Sequence, residues 1–145
     1  YDALDMTLRS LKFSVIDREP VTELIDYEGF CGIKMMTMPF AEISPSDYTT
    51  RRQQGWNPLF IDTRNTIEAS IVTLPDTDSL IPHEEILTVE LPKDRDIVLY
   101  CRTGGRSGMA AYALSQTGHD SKKLFNLAGG IHAWHAEIDS SVPKY

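Results

Sequence analysis

Ile97-Val98-Leu99-Tyr100-Cys101-Arg102-Thr103-Gly104-Gly105-Arg106-Ser107 joins a strand, a tight loop and a helix start without a break. Ile97 to Tyr100 form a short apolar, β-favouring run, the pattern of a buried strand. Cys101 stands where that strand ends, and Gly104-Gly105 let the backbone turn back and approach whatever fills the loop. From Ser107 to Thr117, Ala110, Ala113 and Leu114 recur at helical spacing, and Gly118 stops the helix. A cysteine between a strand and a helix N-terminus sits where backbone N–H groups and the helix dipole favour an anion. Arg102 and Arg106 add positive charge, so the thiol is expected to ionise readily and act as a nucleophile. The plainer reading, a packed strand-end cysteine, leaves the Gly-Gly pair and the two arginines without a purpose.

Loop length separates two thiolate chemistries. Cys101 to Arg106 is C-x4-R, one residue shorter than the C-x5-R of cysteine phosphatases. The longer ring of amides can surround a phosphate, whereas the shorter one has room for little more than a sulfur on the cysteine. A persulfide needs only N–H donors around a terminal anionic sulfur, and no general base. The word C-R-x-G-x-R resembles the active-site loop of rhodanese domains, of the thiosulfate-using rather than the mercaptopyruvate-using type. Leu127-Ala128-Gly129-Gly130-Ile131-His132-Ala133-Trp134 resembles the L-x-G-G-[IVLM]-x-x-W word of the same family, with the Gly pair turning tightly and Trp134 anchoring the last helix.

The chain has 145 residues, enough for one domain with an appended segment, and it begins at Tyr1 as a piece of a longer protein would. A net charge of −7 argues against nucleic acid or an anionic membrane as partner. No apolar run has the length of a membrane span or of a signal peptide. Two distant cysteines make no disulfide framework, and with a reactive thiolate they suit a reducing, cytoplasmic setting.

Before the central loop, Leu11, Phe13 and Val15 alternate as in a strand, and Asp17 to Pro20 reads as a turn. The words Tyr1-Asp2-Ala3-Leu4 and Thr22-Glu23-Leu24-Ile25-Asp26-Tyr27-Glu28-Gly29-Phe30-Cys31-Gly32 resemble the tail of MoeB/ThiF-type adenylyltransferases, which activate sulfur carrier proteins. Many of those carry a C-x-x-C zinc pair between the two words, but here the chain reads Phe13-Ser14-Val15-Ile16-Asp17-Arg18. Cys31 then reads as a packed residue, the alternatives being a resolving thiol or a leftover ligand. Residues 33–42, with three methionines and Pro39, read as a linker.

Ser44-Pro45-Ser46-Asp47 is a helix start, with Ser44 as N-cap and Gly55 as the stop. Leu59-Phe60-Ile61 is a short buried strand with Asp62, Thr63 and Arg64 at its carboxyl end, and Asn65 can cap a further helix. Ligands of parallel α/β sheets bind beyond strand carboxyl ends, so Asp62 and Arg64 could face the Cys101 loop. The resemblance implies the same, since rhodaneses carry D-x-R here with a later glutamate, matched by Glu68. All three are expected to brace loops rather than do chemistry. Val72-Thr73-Leu74-Pro75-Asp76-Thr77 departs from the family's G-H-I-P-G-A pattern. Leu80-Ile81-Pro82 reads as a strand, His83 to Leu87 as a brief helix, Lys123 to Asn126 as the last strand, and His119 as a solvated loop residue. His132 and His135 have no third ligand, and no metal site is expected.

The alternation of strands and helices predicts an α/β fold with a mostly parallel sheet of about five strands, flanked by helices on both faces. The resemblances together divide the chain into a tail of a missing adenylyltransferase domain (1–32), a linker (33–42) and a rhodanese domain (43–145). They imply a sulfurtransferase in which Cys101 is the catalytic residue and carries sulfane sulfur as a persulfide, taken from thiosulfate or a cysteine desulfurase. The loop Arg102, Thr103, Gly104, Gly105 and Arg106 would bind the sulfur and anionic donors. Asp62, Arg64 and Ser107 would support it, Ser107 as helix cap. The acceptor implied is the activated C-terminus of a ubiquitin-like sulfur carrier protein, for sulfur insertion of the molybdopterin or thiamine type. This chain shows no Gly-rich phosphate loop after a first strand, so no cofactor is expected in it; ATP and any zinc would belong to the missing domain. The rival readings are a small cysteine-dependent phosphatase or arsenate reductase, a non-catalytic rhodanese-like docking module, and a free-standing detoxifying rhodanese.

Overall fold

The computed structural model describes residues 38–145, within a unit that runs from Thr37 to Tyr145. In chain order the elements are β1 (Ala41–Ile43), α1 (Pro45–Gln53), β2 (Leu59–Asp62), α2 (Thr66–Ile71), β3 (Ser79–Leu80), a 3-10 turn (His83–Glu85), β4 (Ile97–Tyr100), α3 (Gly105–Gln116), a second 3-10 turn (Ser121–Lys123), β5 (Leu124–Leu127) and α4 (Gly130–Glu137). The strands form one sheet in the order β1-β5-β4-β2-β3, and every pairing is parallel. All strand carboxyl ends therefore lie along one edge, and Cys101 leaves the sheet there from its central strand.

Strand alternation sends the core to both faces. Phe60, Val98, Tyr100 and Leu127 pack with Tyr48 of α1 and with Ile131 and Trp134 of α4. Ile61, Ile97, Leu99 and Leu124 point the other way, against Ala110, Ala111 and Leu114 of α3. The small alanines let α3 lie close on the sheet, while the first face is filled by aromatic rings, Tyr48 stacking on Phe60 at 4.5 Å between centroids. This is the expected α/β architecture with helices on both faces.

Local signals set the helix starts. Ser44 accepts from the Asp47 amide with Pro45 in the first turn, and Asn65 with Glu68 forms a reciprocal capping box on α2. Five boundaries differ from the sequence reading. The linker expected over 33–42 gives up Ala41 and Glu42 to β1, because this stretch pairs with Phe125 to Leu127 along the sheet edge. Helix α3 begins at Gly105 rather than Ser107, since Gly104 takes the cap position. The strand expected at Leu80 to Pro82 is Ser79–Leu80, and the last strand is Leu124–Leu127. The brief helix expected from His83 to Leu87 is only the 3-10 turn.

His119 is half-buried rather than solvated, with Nε2 enclosed and Nδ1 beside the Thr117 hydroxyl, because the chain folds back under α3 after Gly118. The Val72–Thr77 segment, which departs from the family pattern, is pinned by the Leu74 amide and the Thr77 hydroxyl on the Tyr100 hydroxyl. The readings made for residues 1–32, Cys31 among them, lie outside the described residues.

Candidate active site

The loop after β4 gains its chemistry from where its carbonyls go. The Cys101 carbonyl accepts from the Ile131 amide at 3.1 Å and the Arg102 carbonyl from the His132 amide at 3.2 Å, both at the start of α4. The Gly104 carbonyl accepts from the Gly108 amide and from Asn126 Nδ2 of β5. With these carbonyls drawn outward, the loop's N–H groups are left to point inward at the sulfur.

The Gly104 amide donates to Cys101 Sγ at 3.1 Å. Ser107 Oγ reaches the same sulfur at 3.3 Å and the Gly104 carbonyl at 3.2 Å, sharing its proton between them. Cys101 is 1% exposed, at the floor of the loop. Burial alone would push its thiol up. Hydrogen bonds from the Ser107 hydroxyl and from the amides of Ser107, Thr103 and Gly104 outweigh that and hold it below the ordinary thiol value. Ser107, expected as a helix cap, is instead the third residue of α3 and a donor to the Cys101 sulfur, because Gly104 at φ +95° occupies the cap. A side chain at Gly104 would also crowd the Gly129 amide at 3.3 Å.

The two arginines part company. Arg106 makes a two-pronged bond to Glu68, Nη1–Oε2 and Nη2–Oε1 both 2.6 Å. The Arg106 guanidinium holds the Glu68 carboxyl down at about 2 and is itself held more firmly protonated. Its charge is matched by Glu68, and the pair ties α2 to the start of α3. Arg102 is exposed, donates through Nε to His132 Nε2 at 3.2 Å, and lies over the Tyr145 ring at 5.4 Å. Among the described residues it has no carboxylate partner. Thr103 and Gly105 are exposed on the loop's outer turn.

Asp62 and Arg64 make no hydrogen bond to the loop, among the described residues. Both are fully buried, and Arg64 grips Asp62 through Nε–Oδ1 (2.8 Å) and Nη2–Oδ2 (2.5 Å). Arg64 also donates to the carbonyls of Glu68 and Val72 and to the Tyr145 hydroxyl, and Asp62 accepts from the Tyr100 hydroxyl at 3.0 Å. Burial opposes the Arg64 charge, but the Asp62 bond prevails and raises its pKa. Burial likewise pushes the Tyr100 hydroxyl up, so it stays a neutral donor. The pair braces the strand ends behind the loop.

Three contacts near the loop go unseen in the sequence: Tyr145, His132 on Arg102, and Asn126 on Gly104. Each depends on chain folded back from far away, and none carries a local spacing signal. Among the described residues no group of three or more His, Cys, Asp and Glu is placed to hold a metal, and no helix is long and apolar enough to cross a membrane.

A buried cysteine sulfur that accepts hydrogen bonds at the carboxyl edge of a five-stranded parallel sheet has the surroundings that suit a sulfur nucleophile. The model of the rhodanese-like domain matches residues 45–137. A protein named "Sulfurtransferase" from Allochromatium vinosum is 38% identical over 94 residues, covering 64% of this chain and 86% of its own length. The "Probable adenylyltransferase/sulfurtransferase MoeZ" of Mycobacterium tuberculosis is 34% identical over 154 residues, covering all of this chain. This chain spans only 38% of that protein's length. A rhodanese-like domain protein from Staphylococcus aureus shares the fold with a TM-score of 0.59 at 24% identity, over 66% of this chain and 91% of that one. The chain belongs to the rhodanese-like domain family, and both curated relatives above carry sulfurtransferase in their names.

Proposed function

We propose that Cys101 carries sulfane sulfur as a persulfide and delivers it to the activated C-terminus of a ubiquitin-like sulfur carrier protein. The observation that carries the first half is the pair of donors, Gly104 N–H and Ser107 Oγ, on a buried sulfur. With thiosulfate as donor, the Cys101 thiolate attacks the outer sulfur, the S–S bond to the sulfonate sulfur breaks, and sulfite leaves with its electron pair. The terminal sulfur of the persulfide keeps the negative charge, and the amides of residues 102–106 stabilise it. A desulfurase persulfide would serve the same step. Among the described residues no His or carboxylate bonds Cys101, as suits a nucleophile ionised by its surroundings rather than by a base.

In the second half the persulfide attacks the carrier's acyl adenylate, AMP leaves, and an acyl disulfide forms. A second thiol, from outside residues 38–145, then attacks Cys101 Sγ and breaks the S–S bond. The carrier thiocarboxylate leaves for molybdopterin- or thiamine-type sulfur insertion, and a further thiol reduces the disulfide left on Cys101. What supports this half is similarity along the whole chain to a relative named as both adenylyltransferase and sulfurtransferase. A protein named "Adenylyltransferase and sulfurtransferase MOCS3" from Drosophila persimilis, 30% identical over 86% of this chain, supports it as well. On this reading ATP and any zinc belong to an adenylylating domain outside residues 43–145, residues 1–32 are the tail of that domain, and the setting is the reducing cytoplasm.

Intact mass after thiosulfate treatment tests the first half. Wild type should gain about one sulfur, roughly 32 Da, removable by reductant and absent in Cys101→Ser. No gain on an accessible, reduced thiol, with other donors tried, would overturn it and bring the phosphatase and docking readings forward. Incubation of the persulfide with a carrier acyl adenylate and a thiol should then yield thiocarboxylate.

A further inference from the structure

The segment after α4 returns to the active-site edge. Val142 is buried in the core cluster, and its carbonyl meets His135 Nδ1 at 2.6 Å. Tyr145 is thereby set among three groups of the site. Its hydroxyl accepts from Arg64 Nη1 and points at Glu68 Oε1, 3.4 Å away. Its ring lies under the guanidinium of Arg102 at 5.4 Å and that of Arg64 at 5.7 Å.

Arg64 is spent on Asp62, and Arg106 on Glu68. Arg102, next in sequence to Cys101, is the loop cation with no carboxylate partner among the described residues, and its long side chain is exposed. An exposed arginine samples many rotamers unless something holds it, and an aromatic face is what a planar guanidinium stacks on best. We propose that Tyr145 is a positioning residue: its ring holds the Arg102 guanidinium beside the Cys101 loop, where it recruits an anionic sulfur donor. The ring does this through its face, and the hydroxyl serves only to fix the ring on Arg64 and Glu68. The effect belongs to capture of the donor, not to the sulfur transfer that follows on Cys101.

The proposal rests on the sulfurtransferase reading, and one experiment separates the two. Steady-state transfer from thiosulfate to cyanide is measured on wild type, Tyr145→Phe, Tyr145→Leu, Arg102→Ala and Tyr145→Leu/Arg102→Ala. Tyr145→Leu keeps apolar volume but no π face, and the KM for thiosulfate should rise about threefold to tenfold with kcat held within about twofold. Tyr145→Phe keeps the face but loses the hydroxyl's hold on Arg64 and Glu68, and its KM should rise less than that of Tyr145→Leu. The double variant should be no worse than Arg102→Ala alone, the signature of two residues acting as one. KM does not depend on the amount of folded enzyme, so a lower yield of the leucine variant leaves the readout intact. An unchanged KM in Tyr145→Leu, or effects of Tyr145→Leu and Arg102→Ala that simply multiply, overturns the proposal alone. No transfer and no sulfur uptake by wild type overturns the reading beneath it and the proposal with it.

Discussion

Cys101 is buried, yet its surroundings favour the ionised form that a nucleophile needs. Its 1% exposure would normally mark a packed, inert thiol. What decides otherwise is the direction of the neighbouring dipoles, since each donor on the sulfur stabilises the thiolate more than the thiol. Ser107 is the donor that can be removed without touching the backbone. Its loss should raise the Cys101 pKa, because one hydrogen bond to the charged form is gone while burial still favours the neutral form. Ultraviolet thiolate absorbance against pH, read with Cys101→Ser as blank, should place the wild-type midpoint below the ordinary thiol value of about 8.5. Ser107→Ala should move it upward. A midpoint that stays put in Ser107→Ala would leave the backbone amides as the whole cause.

The loop works because two helices meet it from opposite sides. Helix α3 continues it, with Gly104 as cap, and α4 faces it with the Ile131 and His132 amides on the Cys101 and Arg102 carbonyls. That closeness needs Gly130. At φ +53° a Cβ there would sit 2.2 Å from the Cys101 carbonyl oxygen and 2.9 Å from the Arg102 carbonyl carbon. Gly130→Ala must therefore push α4 off the loop, adding steric strain to a left-handed conformation that alone costs about 1–2 kcal/mol. The expected loss is at least about 2 kcal/mol in urea unfolding, with sulfur uptake falling too, since freed carbonyls can swing toward the thiolate. Uptake at the wild-type rate in folded Gly130→Ala would show that the carbonyl anchoring is not needed for persulfide formation. Much of this was legible locally. The Gly-Gly word gave a tight turn beside the active loop, and Ser44-Pro45 and Asn65 gave the helix starts. The Ser107 role was misread because both cap and donor need the same short polar residue near a helix start, and only Gly104's conformation tells them apart.

At the scale of the molecule, distance along the chain decided what could be read. The alternation of elements showed the fold class, and β3 was legible one residue out of place, but β1, three residues at the sheet edge, has no pattern of its own. The contacts of Glu68 with Arg106 and of Tyr145 with Arg64 span 38 and 81 residues and leave no periodic trace. The brace they join is centred on Asp62 and Arg64, both 0% exposed, so its behaviour follows from charge burial. A buried pair gains little over an apolar pair of equal volume, but removing one partner strands the other charge in the core. Arg64→Met should therefore cost about 3–5 kcal/mol in urea unfolding. The loss comes mostly from Asp62, which keeps the Tyr100 hydroxyl at 3.0 Å but loses its counter-charge. Asp62→Asn added to Arg64→Met takes away the stranded charge and should return part of that stability. A double variant as unstable as the sum of its singles would mean that the Glu68, Val72 and Tyr145 bonds of Arg64, rather than its charge on Asp62, hold this edge of the sheet together.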